Sequence, residues 1–201
     1  MRLLIASGNE KKIVELRRLV EQAGLSLEVV GLGDVTPYEE PVESGDTFEA
    51  NALIKARAGA AITGLPTLAD DSGIEVDVLN RMPGVRSARW AGPGASDTDN
   101  LELLLRQISD VEPARRRGRF VCAMALVRPD GTEEVLRRTM EGVLVDAPRG
   151  TNGFGYDPIF VTDGHDVTNA ELAPDEKDAV SHRGQAVRAM LPVLARLENQ
   201  S

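Results

Sequence analysis

The sequence predicts an α/β fold with a mixed β-sheet, in a single domain over residues 1–201 with two lobes around a cleft. Two patterns predict this class. Residues 1–24 have the pattern of a strand, a glycine-containing turn and a helix, and residues 120–140 have that of an antiparallel hairpin. The sequence has no repeats, low-complexity tracts or obvious linker, so no domain boundary is expected.

The first third of the chain alternates short apolar runs with helical spacing. The predicted strands are Leu3–Ala6, Leu27–Val30 and Pro66–Ala69. From Glu10 the apolar residues recur at helical spacing, and Gly24 supplies a C-terminal stop. Asp46 and Glu49 resemble a capping box, which predicts a second helix from there through about Ile62.

The remainder predicts strands, a hairpin and two helices. Ser96 and Asp99 open a helix, and a glycine-rich loop over residues 149–157 precedes a short strand. The extended segments are Ile74–Leu79, Phe120–Val127, Glu134–Met140 and Ile159–Val161. The last helix is predicted from about Ser181 to Leu197, and Pro192 should kink or divide it.

Composition limits the partners. The net charge of −9 argues against a stable complex with nucleic acid, which requires a cationic surface. The basic run Arg115–Arg119 is the local exception, and it is typical of a solvated connection before a strand. The single cysteine, Cys122, lies in an apolar run and predicts a buried free thiol in a reducing compartment. With no apolar stretch of membrane-spanning length, these features predict a cytoplasmic protein without a membrane partner.

The turn between the first strand and helix has the residues of an anion site. Amides at a helix N-terminus carry positive potential, so a phosphate is accommodated there. Side chains of the turn add donors and a positive charge. An ordinary strand-to-helix turn with a capping Asn9 is the alternative. The substrate-binding candidates here are Ser7, Gly8, Asn9, Glu10, Lys11 and Lys12.

Two adjacent carboxylates, Asp70 and Asp71, follow the third predicted strand. Ligands of α/β proteins bind near strand ends, and Mg²⁺ commonly uses one or two carboxylates together with substrate phosphates. Neighbouring side chains of a strand point to opposite faces, so both carboxylates can share a site only if the strand has ended. A solvated turn is the alternative. A further metal ligand is sought among Glu39, Glu40 and Glu43.

Two later segments suit a flat ligand with hydrogen-bonding groups. The loop Gly153–Asp157 offers two rings and a carboxylate beside glycines that permit close approach, although a structural turn is the alternative. Ser181–Gly184 opens the last helix after Asp175-Glu176-Lys177, and its clustered donors suit an anion or a base carbonyl.

Taken together and in order, these motifs resemble the inosine triphosphatase family, the non-canonical purine NTP pyrophosphatases. The resemblance runs from Leu3 to about Met190. The most specific stretches are Ser7-Gly8-Asn9 with Lys12, Thr47-Phe48 with Asn51-Ala52 and Lys55-Ala56, Ala69–Gly73, Pro83-Gly84 with Ser87-Ala88-Arg89, Gly153–Pro158, Ala170-Glu171-Leu172 and Ser181–Gly184.

This resemblance implies hydrolysis of ITP, dITP and XTP between the α and β phosphates, with Mg²⁺ as cofactor, in a homodimer with a long central sheet. It implies that Asp71 is the proton acceptor and a metal ligand, and that Glu43 is the other metal ligand, with Glu40 a nearby competitor. His182 and Arg183 would donate to the C6 carbonyl that adenine lacks. The remaining implied substrate contacts are Ser72, Phe154, Gly155, Tyr156, Asp157 and Lys177.

Two other classes compete with this interpretation. Pyrophosphatases of the septum-inhibitor type usually carry Ser-Pro-Arg-Arg after the first strand, where this chain has Ser7-Gly8-Asn9. A nucleotide sensor would bind without turnover, and the presence of Asp71 and Glu43 argues against it.

Overall fold

The computed structural model describes residues 1–198, except for the side chains at positions 11, 15, 174, 175 and 178. Residues 1–198 form seven strands and five α-helices. The strands are β1 (Arg2–Ile5), β2 (Glu28–Val30), β3 (Thr67–Val76), β4 (Met82–Pro83), β5 (Arg117–Val127), β6 (Glu133–Leu144) and β7 (Phe160–Thr162). The helices are α1 (Glu10–Gln22), α2 (Phe48–Thr63), α3 (Asp97–Gln107), α4 (Pro174–Val180) and α5 (His182–Glu198).

The strands form a mixed sheet in the order β2-β1-β3-β5-β6-β7, with β4 paired to β3. β1 pairs in parallel with β2 and with β3, whereas the β3–β4 and β6–β7 pairs are antiparallel. The predicted α/β class with a mixed sheet is therefore confirmed. The arrangement of two lobes around a cleft stays a prediction.

The chain divides into two compact units. Unit 1 comprises residues 1–71 and 122–137 with the chain from 185 onward, and unit 2 comprises residues 72–121 and 138–184. Each unit has its own apolar cluster. The cluster of unit 1 includes Leu3, Leu16, Leu68, Met124, Met190 and Leu194, and that of unit 2 includes Ile74, Leu104, Ile108, Phe120, Ile159 and Phe160. Cys122 is fully buried and is not part of a disulfide, as the sequence predicts.

Of the two capping boxes predicted from the sequence, one is confirmed and one is wrong. The capping box of α3 is confirmed, because the Ser96 hydroxyl accepts from the Asp99 amide at 3.1 Å and Asp99 accepts from the Ser96 amide at 2.8 Å. The box predicted from Asp46 and Glu49 is wrong. Thr47 is the N-cap of α2, and its hydroxyl accepts from the amide of Ala50 at 3.1 Å, which makes Phe48 the first helical residue.

Of the two effects predicted for Pro192 in the last helix, the division is wrong, and the kink stays a prediction. α5 continues through Pro192 for 17 residues. A proline removes only one backbone hydrogen bond, and the buried side chains Met190, Val193, Leu194 and Leu197 hold both sides of the helix in the unit 1 core.

The basic run is not the solvated connection that its composition indicates. Arg116 is buried and donates to the Val111 carbonyl at 2.8 Å, and Arg117 begins β5. Arg117 forms a bidentate pair with Asp163, with both N–O distances 2.7 Å. Arg117 and Arg119 of the run are therefore ion-paired within unit 2, to Asp163 and to Asp77 and Glu141 respectively. In the part of the chain that the structure describes, no helix has both the length and the hydropathy needed to cross a bilayer.

Candidate active site

The predicted phosphate turn lies between β1 and α1 in unit 1. The Asn9 amide donates to the Ser7 hydroxyl at 3.2 Å, and the Lys12 amide donates to the Asn9 carbonyl at 3.1 Å, so Asn9 caps the first turn of α1. Gly8, Asn9 and Glu10 are exposed. The side chain of Lys11 lies outside the described residues. The turn thus presents exposed backbone at the N-terminus of a 13-residue helix, which suits an anion.

Lys12 does not extend into solvent. Its ammonium donates to both carboxylate oxygens of Asp70, at 2.8 and 2.7 Å. The Asp70 side chain is only 3% exposed, and that of Lys12 is 18% exposed. This pair joins the predicted phosphate turn to the predicted metal ligands.

The strand that carries Asp70 and Asp71 does not end there. β3 runs for ten residues and continues through both carboxylates to Val76, which corrects the predicted strand Pro66–Ala69. The two side chains accordingly find different partners, Lys12 for Asp70 and the Asn51 side-chain amide for Asp71 at 3.0 Å. A polar pair is tolerated inside the strand because both carboxylates are hydrogen-bonded.

The carboxylates nevertheless lie where the neighbouring strand stops. The last paired residue of β1 is Ile5, which lies opposite Leu68, two residues before Asp70. The predicted location, beyond the carboxyl end of a parallel strand, therefore holds for β1 although β3 itself goes on. Ser72 follows within β3 and is half-buried in unit 2.

Lys55 lies at this site although it is not among the site residues predicted from the sequence. Its ammonium donates to Glu43 at 2.7 Å, and its side chain is only 14% exposed. Burial lowers the pKa of Lys55, but the hydrogen bond with Glu43 and the charges of Asp70, Glu43 and Asp71 outweigh burial, and the pKa is raised. Three carboxylates therefore act on one ammonium.

A spacing signal for this residue exists in the sequence. Asn51 and Lys55 are four residues apart, so they share one face of α2 and reach Asp71 and Glu43 from the same side. We call Glu43, Asp70 and Asp71, with Lys12, Asn51 and Lys55, the carboxylate cluster. All of it belongs to unit 1.

The cluster suits a divalent cation. The charges of three carboxylates act on the Lys55 ammonium, and hard oxygen ligands are those that Mg²⁺ prefers. Among the described residues, no group of three or more His, Cys, Asp or Glu side chains has the arrangement of a complete metal site. A Mg²⁺ ion would therefore take one or two carboxylates here together with phosphate oxygens. Glu43 is joined to the cluster through Lys55, whereas a carboxylate oxygen of Glu40 lies near Gly8 of the predicted phosphate turn, so the choice of Glu43 as the second ligand stays a prediction.

The Gly153–Asp157 loop lies in unit 2 and presents Phe154, whose side chain is 62% exposed. Lys177 Nζ lies 5.2 Å from the centroid of this ring, and Arg183 Cζ lies 5.9 Å from it. An exposed ring flanked by two cations suits stacking and hydrogen bonding with a planar ligand that accepts hydrogen bonds or carries negative charge.

Asp157 stabilises this loop through two contacts of its carboxylate. Its carboxylate is buried, pairs with the Lys177 ammonium and accepts from the Phe154 amide at 2.9 Å. Gly153 is required beside it, because a Cβ on its left-handed backbone would overlap the Asp157 carboxylate and lie 2.7 Å from Lys177 Nζ. Asp157 is thus placed to position the loop.

Tyr156 corrects the expectation that both rings of the loop face a ligand. Its side chain is buried in the unit 2 core, and its hydroxyl donates to the Ser87 carbonyl at 2.8 Å. Burial, followed by the charge of Asp97, raises the pKa of the Tyr156 hydroxyl. The adjacent Gly155 amide donates to the Asp97 carboxylate at 2.9 Å.

The start of α5 holds the other two candidates. The Ser181 hydroxyl accepts from the Gly184 amide at 3.0 Å and caps the helix. The His182 ring stacks on Phe120 with centroids 5.1 Å apart and an interplanar angle of 13°, which fixes the plane of the imidazole. Both His182 and Arg183 are half-buried. His182 and Arg183 lie in unit 2, as does the loop that carries Phe154.

The fold and the carboxylate cluster define an α/β protein with a site suited to a cation and a phosphate. The sequence model of the Ham1 family matches residues 3–193, and the chain belongs to this family. The dITP/XTP pyrophosphatase of Cutibacterium acnes is 60% identical over 202 residues, which covers 99% of each chain. The protein of the same name from Nocardia farcinica is 56% identical and is covered to 98%, against 100% of this chain.

Solved structures agree. The nucleoside-triphosphatase, or dITP/XTP pyrophosphatase, from Mycobacterium abscessus is 55% identical, with a TM-score of 0.84 over 96% of this chain and 100% of that one. A HAM1 protein from Coxiella burnetii is 39% identical, with a TM-score of 0.89 over 98% and 99% of the two chains. The predicted membership of the family is therefore confirmed.

Proposed function

We propose that this chain hydrolyses ITP, dITP and XTP to the nucleoside monophosphate and pyrophosphate, and so removes altered purine nucleotides from the free pool. The observation that carries the proposal is the carboxylate cluster, in which Glu43, Asp70 and Asp71 act on Lys55 beside an exposed phosphate turn. The full-length relatives named dITP/XTP pyrophosphatase support the same substrates.

Asp71 is the general base of this proposal, and with Glu43 it would hold Mg²⁺. When bound, Mg²⁺ supplies positive charge that offsets the charge developing on the phosphates. The Asn51 amide donates to Asp71 at 3.0 Å and orients its carboxylate to take a proton from the attacking water. The water oxygen then bonds to phosphorus as the bond to the pyrophosphate oxygen breaks.

Two lysines would bind the phosphates. Lys12 lies on the phosphate turn and is held by Asp70, and Lys55 is held by Glu43. Each ammonium keeps its carboxylate partner in the free protein, so each is positioned before the nucleotide arrives and needs little reorganisation. The exposed turn would add backbone and side-chain contacts from Ser7, Gly8, Asn9 and Glu10. Ser72, in β3, would also contact the substrate.

The purine would be recognised in unit 2. Phe154 offers an exposed ring for stacking, and His182 and Arg183 offer donors to the C6 carbonyl of hypoxanthine or xanthine. Adenine has an amino group at C6, so donors facing it would be left unpaired, which costs affinity. Lys177 would contact the substrate directly, while Asp157 and Gly155 act through the loop.

The setting of the enzyme is part of the proposal. A net charge of −9 disfavours stable binding of nucleic acid, and a buried cysteine outside any disulfide suits the reducing cytoplasm. The resemblance to the inosine triphosphatase family implies a homodimer, which sedimentation velocity would measure.

Turnover of a nucleotide panel tests the function. Purified protein with Mg²⁺ is incubated with dITP, XTP, dGTP and dATP, and the released anion is identified. We expect pyrophosphate from dITP and XTP in preference to dGTP and dATP. Orthophosphate would indicate a phosphatase, and binding without release would indicate a nucleotide sensor. Either result contradicts the proposal.

A variant tests the role of Asp71. We expect Asp71→Asn to lower kcat for dITP about 10²- to 10⁴-fold, because the amide cannot accept the proton, while dITP still binds. Asp163→Asn is the matched control, since Asp163 is an exposed partner of Arg117 in unit 2. Near-normal turnover of Asp71→Asn would remove Asp71 from the base role.

A further inference from the structure

Three hydrogen bonds or ion pairs join the loop that carries Phe154 to helical segments of unit 2. Asp157 pairs with Lys177, the Tyr156 hydroxyl donates to the Ser87 carbonyl, and the Gly155 amide donates to Asp97 at 2.9 Å. The first two bonds involve buried loop residues. The third lies at the surface and is made by the residue next to Phe154.

Asp97 is not part of the capping box of its own helix. It is the first residue of α3, but the capping box of that helix is formed by Ser96 and Asp99. The bond from Gly155 to Asp97 spans 58 residues of sequence, so it is not a product of local turn geometry. The Asp97 carboxylate therefore holds the loop, a task that Asp99 does not share.

Gly155 has the backbone that this bond uses. Its φ of +60° is in the left-handed region, while the space around it is open, with no atom within 4 Å of where a Cβ would lie. The glycine is thus accounted for by conformation and not by crowding. With this conformation the amide donates outside the loop, to Asp97.

We propose that Asp97 is a positioning residue for base recognition, because it holds the Gly155 amide and thereby the direction of the exposed Phe154 ring. This inference rests on the proposed function, in which Phe154 stacks on the purine. Asp97 touches neither the phosphates nor the metal ligands in that scheme. Its loss should therefore affect binding of the base and leave the chemical step intact.

The kinetic test compares two substitutions of Asp97. We expect Asp97→Ala to raise KM for dITP about three- to ten-fold, the range for the net loss of one ordinary solvent-accessible hydrogen bond, with kcat within about two-fold of wild type. Asp97→Asn should recover most of the loss, because its amide oxygen still accepts from Gly155. An unchanged KM in Asp97→Ala would overturn the inference.

Product inhibition separates the two ends of the nucleotide. Asp97→Ala should weaken inhibition by dIMP about as much as it raises KM, and should leave inhibition by pyrophosphate unchanged. Asp99→Ala is the matched control from the same helical turn. It removes the Asp99 half of the capping box of α3 and lowers stability, but it should not raise KM. An equal rise in KM for Asp99→Ala would show that the effect comes from a weakened helix, and would overturn the inference.

Hydrogen exchange reads the bond without any nucleotide. The Gly155 amide of the wild type should exchange more slowly than that of Asp97→Ala, measured by mass spectrometry on peptides covering residues 153–157. Equal exchange would overturn the inference whatever the kinetics show. Slow exchange together with no turnover of dITP by the wild type would contradict the proposed function instead.

Discussion

At the residue scale, the absence of a Cβ at Gly153 leaves the space in which Asp157 and Lys177 hold the Gly153–Asp157 loop. Gly153 lies against the ion pair of Asp157 and Lys177, and its backbone is left-handed, with φ +77°. Gly155, two residues on, is also left-handed but lies in open space. The two glycines thus separate the cost of conformation from the cost of crowding.

We predict that Gly153→Ala destabilises the protein more than Gly155→Ala. Both variants should lose about 1–2 kcal/mol from left-handed strain, and Gly153→Ala about 1–3 kcal/mol more, because its methyl group forces Asp157 and Lys177 apart. Urea denaturation gives the free energies of unfolding. Equal losses in the two variants would mean that the ion pair moves aside at no cost.

Lys55 carries the second prediction at this scale. Replacing it by methionine removes the charge that Glu43, Asp70 and Asp71 share. We expect Lys55→Met to lower the free energy of unfolding by about 1–3 kcal/mol without metal, since these carboxylates then repel one another. Added Mg²⁺ should stabilise this variant more than it stabilises the wild type, because the ion replaces the missing charge.

Arg57→Met is the control for Lys55→Met. Arg57 lies two residues further along α2, but its side chain is exposed and pairs with Glu133. Its loss should not change the response of thermal stability to Mg²⁺. If Mg²⁺ stabilised Lys55→Met and wild type equally, Lys55 would not be the counter-charge of the cluster.

Residue types and their order predict much of the candidate site. Ser7–Lys12 and Asp70-Asp71 could be recognised because their chemistry is concentrated in a few neighbouring positions. Lys55 stands in one of the stretches that carry the family resemblance, but it was not among the candidate site residues because a single lysine on a helix is usually solvated. Its four-residue spacing from Asn51 is the local signal that the two share one helix face. The burial of Tyr156 depends on Ser87, 69 residues away, which no local pattern reports.

At the element scale, β3 marks the limit of sequence patterns. Two adjacent aspartates are poor strand residues, so the strand was expected to stop before them. It continues because Lys12 from α1 and Asn51 from α2 satisfy both carboxylates, and because Ile74 and Val76 beyond them are buried. The positions of β1 and α1 follow from periodicity and a glycine stop, which are local features.

Helix ends show the same division between local and distant causes. The Ser96–Asp99 box could be predicted because both partners lie within one turn. At α2, two cap residues were available one position apart, and Thr47 prevails over Asp46. The Asn51 side chain also accepts from the Gly45 amide at 2.8 Å, which fixes the chain just before the helix.

At the scale of the whole molecule, acid stability follows from several surface carboxylates whose pKa is lowered. A hydrogen bond from Arg57 lowers the pKa of Glu133, one from Arg117 lowers that of Asp163, and bonds from Ser96 lower that of Asp99. A carboxyl group whose pKa is lower in the folded state stabilises the fold at every pH above its pKa in the unfolded state. That stabilisation is lost as the pH falls through the pKa of the folded state.

We therefore expect the urea midpoint to be nearly constant from about pH 7 to about pH 5.5 and to fall below about pH 4.5, near the ordinary pKa of a carboxyl group. The urea midpoint of Arg57→Gln should fall less steeply with decreasing pH, because the pKa of Glu133 is then near its ordinary value of 4.5 in the folded and in the unfolded state. A steep loss already between about pH 7 and 5.5 would point to histidines and contradict this account.

The interior position of Cys122 has a consequence for handling and for survival. It is the one cysteine of the sequence, and its side chain is fully buried. Peroxide, disulfide reagents and alkylating compounds that act at the surface therefore find no sulfhydryl to modify. A folded molecule should therefore form no disulfide cross-links to its neighbours under oxidising conditions, and no reductant should be required to prevent them.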